Sequence, residues 1–164
     1  MSFPGVGKLA PDFTLDTDAG VPLTLSALRG RPVVLFFYPK DDTSGCTIES
    51  CEFRDLLPRF DTSAARVLGI SPDPVKSHVK FRDKYQLNFP LLADVDQRVS
   101  EAYGVWQQKS MYGRKYMGVA RTTFVIGADG RITHVFEKVK PESHAAEVAA
   151  AVAGLPSAPG REEP

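Results

Sequence analysis

An α/β fold, with a mixed central sheet and helices on both faces, is what this sequence predicts. Three observations predict it. Apolar, β-branched runs alternate along the chain with segments of helical spacing, as strands joined by crossover helices do. One run, PVVLFFY from Pro32 to Tyr38, is apolar without interruption, as a strand covered on both faces must be. The last two strand-like runs flank Gly127-Ala128-Asp129-Gly130, a hairpin signal that adds antiparallel pairing to the sheet.

In chain order, Phe13 to Asp16 and Val21 to Leu25 read as short strands around a turn at Ala19-Gly20. Ser26 can cap a brief helical turn that ends at Gly30. The central strand, Pro32 to Tyr38, runs into a polar loop, Pro39 to Gly45. A helix is predicted from Cys46 to Phe60, because Phe53, Leu56, Leu57 and Phe60 fall at helical spacing. Pro58 should kink or end it. Arg66 to Ile70 is a second buried strand, and Pro74 to Tyr85 a helix with proline at its start. Pro90 to Ala93 is a short strand. Asp96 to Tyr103 is a helix with Asp94 or Asp96 as cap. Thr122 to Ile126 and Ile132 to Glu137 form the hairpin, and the Ala-rich stretch from Glu142 to Ala153 is the last helix. The order is β-β-β-α-β-α-β-α-β-β-α. One domain is expected over residues 1–154, with a frayed tail over residues 155–164 (LPSAPGREEP).

A chain of 164 residues suits one domain with a sizeable core. Its 43% apolar and 24% charged residues are ordinary for a globular domain. Twenty basic residues balance twenty acidic ones, so nothing predicts attraction to nucleic acid or to an anionic membrane. No apolar run reaches the length of a membrane span. The start of the chain, MSFPGVGK, lacks the charged-then-apolar design of a signal peptide. A cytoplasmic location is therefore expected, where thiols are kept reduced. Two cysteines in such a place point to catalysis or metal binding rather than to a permanent staple.

Open α/β sheets place their chemistry just beyond the carboxyl ends of the strands. Here that place holds PKDDTSGC, Pro39 to Cys46. Cys46 then falls in the first turn of a helix, where free N–H groups and the positive end of the dipole favour thiolate over thiol. A buried inert cysteine is the bland alternative. A lowered pKa is not enough for catalysis. A drop from about 8.5 to about 6 raises the thiolate fraction at neutral pH roughly 30-fold. With a Brønsted slope of about 0.4–0.5, roughly tenfold is lost again in nucleophilicity. The remainder must come from groups that stabilise charge on the atoms being broken apart. Thr43 offers a hydroxyl for that task, and Pro39 can shape the loop and help exclude water.

Pro39, Thr43 and Cys46 form the pattern P-x-x-x-T-x-x-C, which resembles the peroxiredoxins. The likeness extends to Phe36-Phe37-Tyr38, to Cys51-Glu52-Phe53-Arg54-Asp55 and to Gly118 through Ile126 (GVARTTFVI). The chain looks like the Q-type, or bacterioferritin comigratory protein, subfamily, and the likeness covers roughly residues 5–153. The resemblance implies a thioredoxin-like fold. It implies a thiol-dependent peroxidase for hydrogen peroxide and organic hydroperoxides, with Cys46 as peroxidatic cysteine and a thioredoxin-like donor as reductant. It implies that Thr43 and Arg121 complete the site; by itself, an arginine at a strand start reads as a surface charge. Ser44 stands where many relatives carry proline, which removes no chemical group. No cofactor or metal is implied.

The resemblance also makes Cys51 the resolving cysteine, which traps the sulfenic acid of Cys46 as an intramolecular disulfide. On spacing alone, Cys51 reads first as an apolar residue on a buried helix face. Five helical residues give about 7.5 Å of rise and about 140° of rotation, so the two Cα atoms would lie roughly 8.6 Å apart. A disulfide tolerates about 7 Å, so the first turns of the helix must unwind. With no cysteine after Cys51, a monomer is the expected working unit. Three further readings of the residues stand beside the peroxidase, one of them a non-catalytic binding module in which Cys46 would keep an ordinary thiol pKa. A thiol–disulfide oxidoreductase would use C-x-x-C, and the spacing here is C-x-x-x-x-C. A metal-binding protein would need another soft ligand, and His78, His134 and His144 all lie far from the cysteines in sequence. Each reads as a solvated or hairpin residue.

Overall fold

The computed structural model describes residues 3–155. Its main sheet has seven strands in the order β2-β1-β5-β4-β3-β8-β9. These are β1 Thr14–Thr17, β2 Pro22–Thr24, β3 Val33–Phe37, β4 Arg66–Ser71, β5 Leu91–Ala93, β8 Thr122–Ile126 and β9 Ile132–Phe136. β3, β4 and β5 run parallel, and β1, β2, β8 and β9 join by antiparallel pairing. The mixed sheet expected from the sequence is thus present. The expected tail lies outside the described residues, apart from Leu155.

Alternation along β3 builds two cores. Val33, Leu35 and Phe37 point to one face, where they meet Leu68, Ile70, Tyr103 and Phe124. Val34, Phe36 and Tyr38 point to the other, where they meet Cys46, Phe53, Phe81 and Val148. All of these side chains are buried on one face or the other. Helices α1 (Ser44–Thr62), α2 (Val75–Tyr85) and α4 (His144–Ala153) cover the second face. The short α3 (Arg98–Ala102) and the residues leading into β1 cover the first.

The structure departs from the sequence reading in several places. Pro58 does not end α1, which continues to Thr62. A proline frees the carbonyl four residues back; that carbonyl, of Arg54, accepts from the Asn88 side chain at 3.3 Å. Ser26 does not cap the turn at Leu25–Leu28 with its side chain; its backbone N–H donates to Asp12 at 2.9 Å. A second sheet was not expected: β6 (Trp106–Met111) and β7 (Arg114–Val119) pair across Tyr112-Gly113. Both turn residues have positive φ, the geometry of a two-residue hairpin turn. Finally, two of the three histidines are not solvated. His78 is fully buried and His144 is 4% exposed, each with hydrogen-bond partners inside the fold. Gln97, rather than Asp94 or Asp96, is the N-cap of α3, but both aspartates accept N–H groups of its first turn.

Candidate active site

The parallel centre of the sheet delivers the chain to the site. Tyr38, just past β3, still donates its N–H to Ile70 at 3.0 Å. Residues 39–43 then turn away from the sheet, and Thr43 is the N-cap of α1 with extended backbone (φ −87°, ψ 157°). The first helical bond runs from Thr47 N–H to the Thr43 carbonyl at 2.8 Å. The N–H groups of Ser44, Gly45 and Cys46 precede it and lie at the positive end of the helix. Thr43 does not spend its hydroxyl on the cap; it donates to the Lys40 carbonyl at 2.9 Å. Pro39 is half-buried at the start of this turn.

Cys46 is fully buried and free. Its Sγ receives a hydrogen bond from Arg121 Nη2 at 3.2 Å, across 75 residues of sequence. The same guanidinium donates through Nη1 to Glu49 Oε1 at 2.6 Å. Burial works against the charge on Arg121, but Glu49 and Cys46 outweigh it and hold its pKa above the ordinary arginine value. Glu49 is itself fully buried, and burial pushes its carboxyl up to about 7 against the pull of Arg121. Its Oε2 has no hydrogen-bond partner among the described residues. The approach of Arg121 depends on Gly45: a Cβ there would lie 3.2 Å from Arg121 Nη2 and 3.2 Å from Pro141 Cγ.

Other charges look on. Burial and the nearby Arg121 lower the pKa of Lys109, while Cys46 pulls it the other way; its Nζ donates to the Val119 carbonyl at 2.6 Å. Burial, with help from Arg121, lowers His144 to about 4, so its ring is neutral near pH 7. Cys51 is half-buried on the same helix, free, and its thiol is pushed up by burial. Because α1 is regular from Ser44 onward, the roughly 8.6 Å helical separation of the two Cα atoms applies.

Cys46, Arg121 and the Thr43 cap are therefore brought to one end of the sheet, and Cys51 is not brought to Cys46. Sequence reasoning missed Glu49, Gly45 and Lys109. Glu49 sits three residues after Cys46, which puts it on the same helix face. An acid in that position ordinarily faces water, so only its partner Arg121 reveals it. Lys109 lies on the hairpin that the sequence reading did not foresee. Among the described residues no group of three or more His, Cys, Asp or Glu side chains is placed to hold a metal ion. No helix among them is long and apolar enough to cross a membrane.

A model of the AhpC/TSA family matches residues 6–135. The chain belongs to the AhpC/TSA family. A relative from Coxiella burnetii is 52% identical over 143 residues, 87% of this chain and 95% of that protein. The peroxiredoxin Bcp of Bacillus subtilis is 44% identical over 142 residues, 87% of this chain and 90% of that protein. Among solved structures, the Xanthomonas campestris bacterioferritin comigratory protein superposes with a TM-score of 0.83 at 40% identity, covering 86% of this chain and 90% of that one. Xylella fastidiosa PrxQ superposes with a TM-score of 0.88 at 37% identity, covering 93% of this chain and 98% of that one. The fold is thioredoxin-like, and membership carries the family's activity, the reduction of hydroperoxides at the expense of a thiol. Of the readings that the residues left open, membership selects the peroxidase over the metal-binding protein and the disulfide oxidoreductase.

Proposed function

We propose that Cys46 is the nucleophile of this peroxidase, that Arg121 and Thr43 act on the peroxide, and that Cys51 resolves the product. The observation that carries the reading is the hydrogen bond from Arg121 Nη2 to the buried Cys46 Sγ at 3.2 Å. A permanent cation that donates to a sulfur stabilises negative charge there, and on an oxygen placed beside it. The sulfur attacks one oxygen of the peroxide. As the S–O bond forms, the O–O bond breaks, and the leaving oxygen takes a proton and departs as water or an alcohol. Cys46 is left as a sulfenic acid. Arg121 faces the charge that develops on the departing oxygen. Thr43 has its hydrogen committed to Lys40, so its oxygen is free to accept the peroxide O–H. Pro39 shapes the turn and keeps water from the sulfur.

The Cys51 thiol then attacks the Cys46 sulfenic sulfur, releasing water and forming a disulfide. A thioredoxin-like dithiol reduces it by exchange, itself becoming a disulfide. The Xanthomonas campestris relative is described by its alkyl peroxide reduction, which supports organic hydroperoxides beside hydrogen peroxide as substrates here. An intramolecular disulfide makes the monomer a sufficient working unit, in the cytoplasm, with neither nucleic acid nor membrane as partner. The test is peroxide consumption with a thioredoxin system, run on wild type and on Cys46→Ser. Turnover should vanish in the variant; substantial remaining turnover refutes the assignment.

A further inference from the structure

The turn between β3 and α1 is tied down by a buried polar cluster that the chemistry at Cys46 does not use. At its centre is Asp41, 7% exposed. Its carboxylate accepts from Tyr38 Oη at 2.6 Å and from Ser77 Oγ at 2.8 Å, and it faces His78 Nδ1 at 2.7 Å. The Asp41 backbone N–H donates to Asp73 at 2.8 Å. His78 lies at the other end of the link, with Nε2 at 2.9 Å from the Leu92 carbonyl. A carbonyl can only accept, so Nε2 is a donor there. Nδ1 lies within hydrogen-bond distance, at 2.7 Å, of the Asp41 carboxylate, which also accepts from two hydroxyls. His78 thus joins the turn to β5 through one ring. At the surface Asp42 adds two bonds to α2, from Lys84 Nζ at 2.8 Å and Tyr85 Oη at 2.7 Å.

The placement of the cluster separates two demands on neighbouring residues. Attack on peroxide needs Pro39 and Thr43 held still. Resolution needs the start of α1 to open, from about Ser44 on. Asp41 lies two residues before Thr43 and five before Cys46. Every bond of the cluster runs upstream of the opening segment or away from it, to β3, α2, β5 and the residues after β4. Burying this many polar groups is unfavourable unless each is paired, and a simple strand-to-helix turn does not require it.

We propose that Asp41 and His78 are positioning residues, which anchor the Pro39–Thr43 turn to α2 so that Thr43 keeps its place while the start of α1 opens and closes. The proposal rests on the reading of Cys46 as the nucleophile. Two substitutions at one position test it. Asparagine carries its amide nitrogen near the Nδ1 position, so His78→Asn keeps a hydrogen-bonding partner for Asp41 and loses the Leu92 bond. Glutamine reaches the Nε2 position, so His78→Gln keeps the Leu92 bond and loses Asp41. Each gives up one buried hydrogen bond, so thermal stability should fall in both. Oxidation of Cys46 and its resolution by Cys51 are followed separately, by rapid quench, alkylation and mass spectrometry.

Anchoring through Asp41 requires His78→Gln to slow oxidation at least about tenfold, with resolution within about twofold of wild type. It requires His78→Asn to oxidise within about threefold of wild type. Equal slowing in the two variants, a wild-type rate in His78→Gln, or a fall in resolution that matches the fall in oxidation overturns the proposal. Should either His78 variant fail to fold, Tyr38→Phe and Ser77→Ala each delete one hydroxyl donor to Asp41. Slower oxidation with unchanged resolution in these supports the anchor, and unchanged oxidation in both overturns it. Failure of the anchor leaves the reaction dependent on Cys46. Turnover that survives Cys46→Ser overturns the nucleophile assignment instead, and the proposal with it.

Discussion

Arg121 divides its guanidinium between two buried partners, and the proposed attack on peroxide relies on that division. Nη1 is held by Glu49 and Nη2 is left to the sulfur. A planar fork offers separate nitrogens in fixed geometry to the two partners, whereas lysine would have to serve both from one nitrogen. Arg121→Ala should slow oxidation of Cys46 by at least about tenfold, or roughly 1.4 kcal/mol of barrier. A second-order rate with hydrogen peroxide equal to that of wild type would return Arg121 to a structural role. Gly45 sets how close the fork can come. A methyl group there meets Arg121 and Pro141, both at 3.2 Å, so one of them must shift by a few tenths of an ångström. Gly45→Ala should therefore slow oxidation several-fold, because small misplacements of a catalytic group are expensive, while Cys46 itself stays intact. A wild-type oxidation rate in this variant would show that Pro141 yields and Arg121 does not. Cys46 and Thr43 were legible in the sequence through their loop and spacing. Arg121 was legible only through family resemblance, and Glu49 not at all, because its meaning depends on a partner 72 residues away.

At the scale of the element, α1 carries both cysteines and must break its own start to join them. Such an opening would also release other elements. Glu52, one residue after Cys51, accepts the Ser143 N–H at the head of α4 at 2.8 Å, and Pro141 packs at Gly45. Amide exchange between Gly45 and Arg54 should therefore be faster in the oxidised protein than in the reduced one. The Ser143 amide should lose protection in the same state. Equal exchange in both redox states would defeat the unwinding, and exchange unchanged at Ser143 alone would uncouple α4 from it. Cys51→Ser should react once with peroxide, stall as sulfenic acid and overoxidise at excess peroxide. Mass spectrometry should find a Cys46–Cys51 crosslink in wild type, and its absence would refute the resolving role. The end of α1 was misread because Pro58 looks like a stop until Asn88 is seen to take up the freed carbonyl. The β6–β7 hairpin was missed because its strands are mostly exposed and so carry no burial-driven alternation.

Over the whole molecule, two buried titratable groups beside Arg121 give stability opposite pH dependences. Glu49 is raised from 4.5 to about 7 by burial. The native state then binds more protons than the unfolded chain between those values, so this contribution is full below about 4.5 and is lost as pH rises through 7. His144 is lowered from 6.5 to about 4, by burial first and by Arg121 second. Here the unfolded chain binds more protons, so the contribution is full above 6.5 and is lost as pH falls towards 4. Between about 4.5 and 6.5 the two slopes oppose each other. Glu49→Gln should leave the histidine slope uncovered, with stability rising with pH across this window by on the order of 1 kcal/mol per unit. His144→Asn should do the reverse, with stability falling as pH rises. Denaturant midpoints measured from pH 4 to 7.5 check both, and parallel curves for wild type and variants would show that neither group is perturbed.

What the sequence determined by itself is the layout: the two-faced central strand, the order of the main-sheet strands and the helices, the polar loop at its end and a cysteine at a helix start. These follow from local properties, namely apolar runs, alternation, spacing and capping, which neighbouring residues carry between them. What only the tertiary structure decided is what surrounds that cysteine. Arg121 and its partner Glu49 are 72 residues apart in the chain, His78 and its partner Asp41 are 37 apart, and each is a charged or titratable side chain that ordinarily faces water. Their burial is possible only because they meet one another, or other polar groups inside the fold. No local pattern records such a meeting, since the energy that permits it belongs to the partners jointly and not to any one residue.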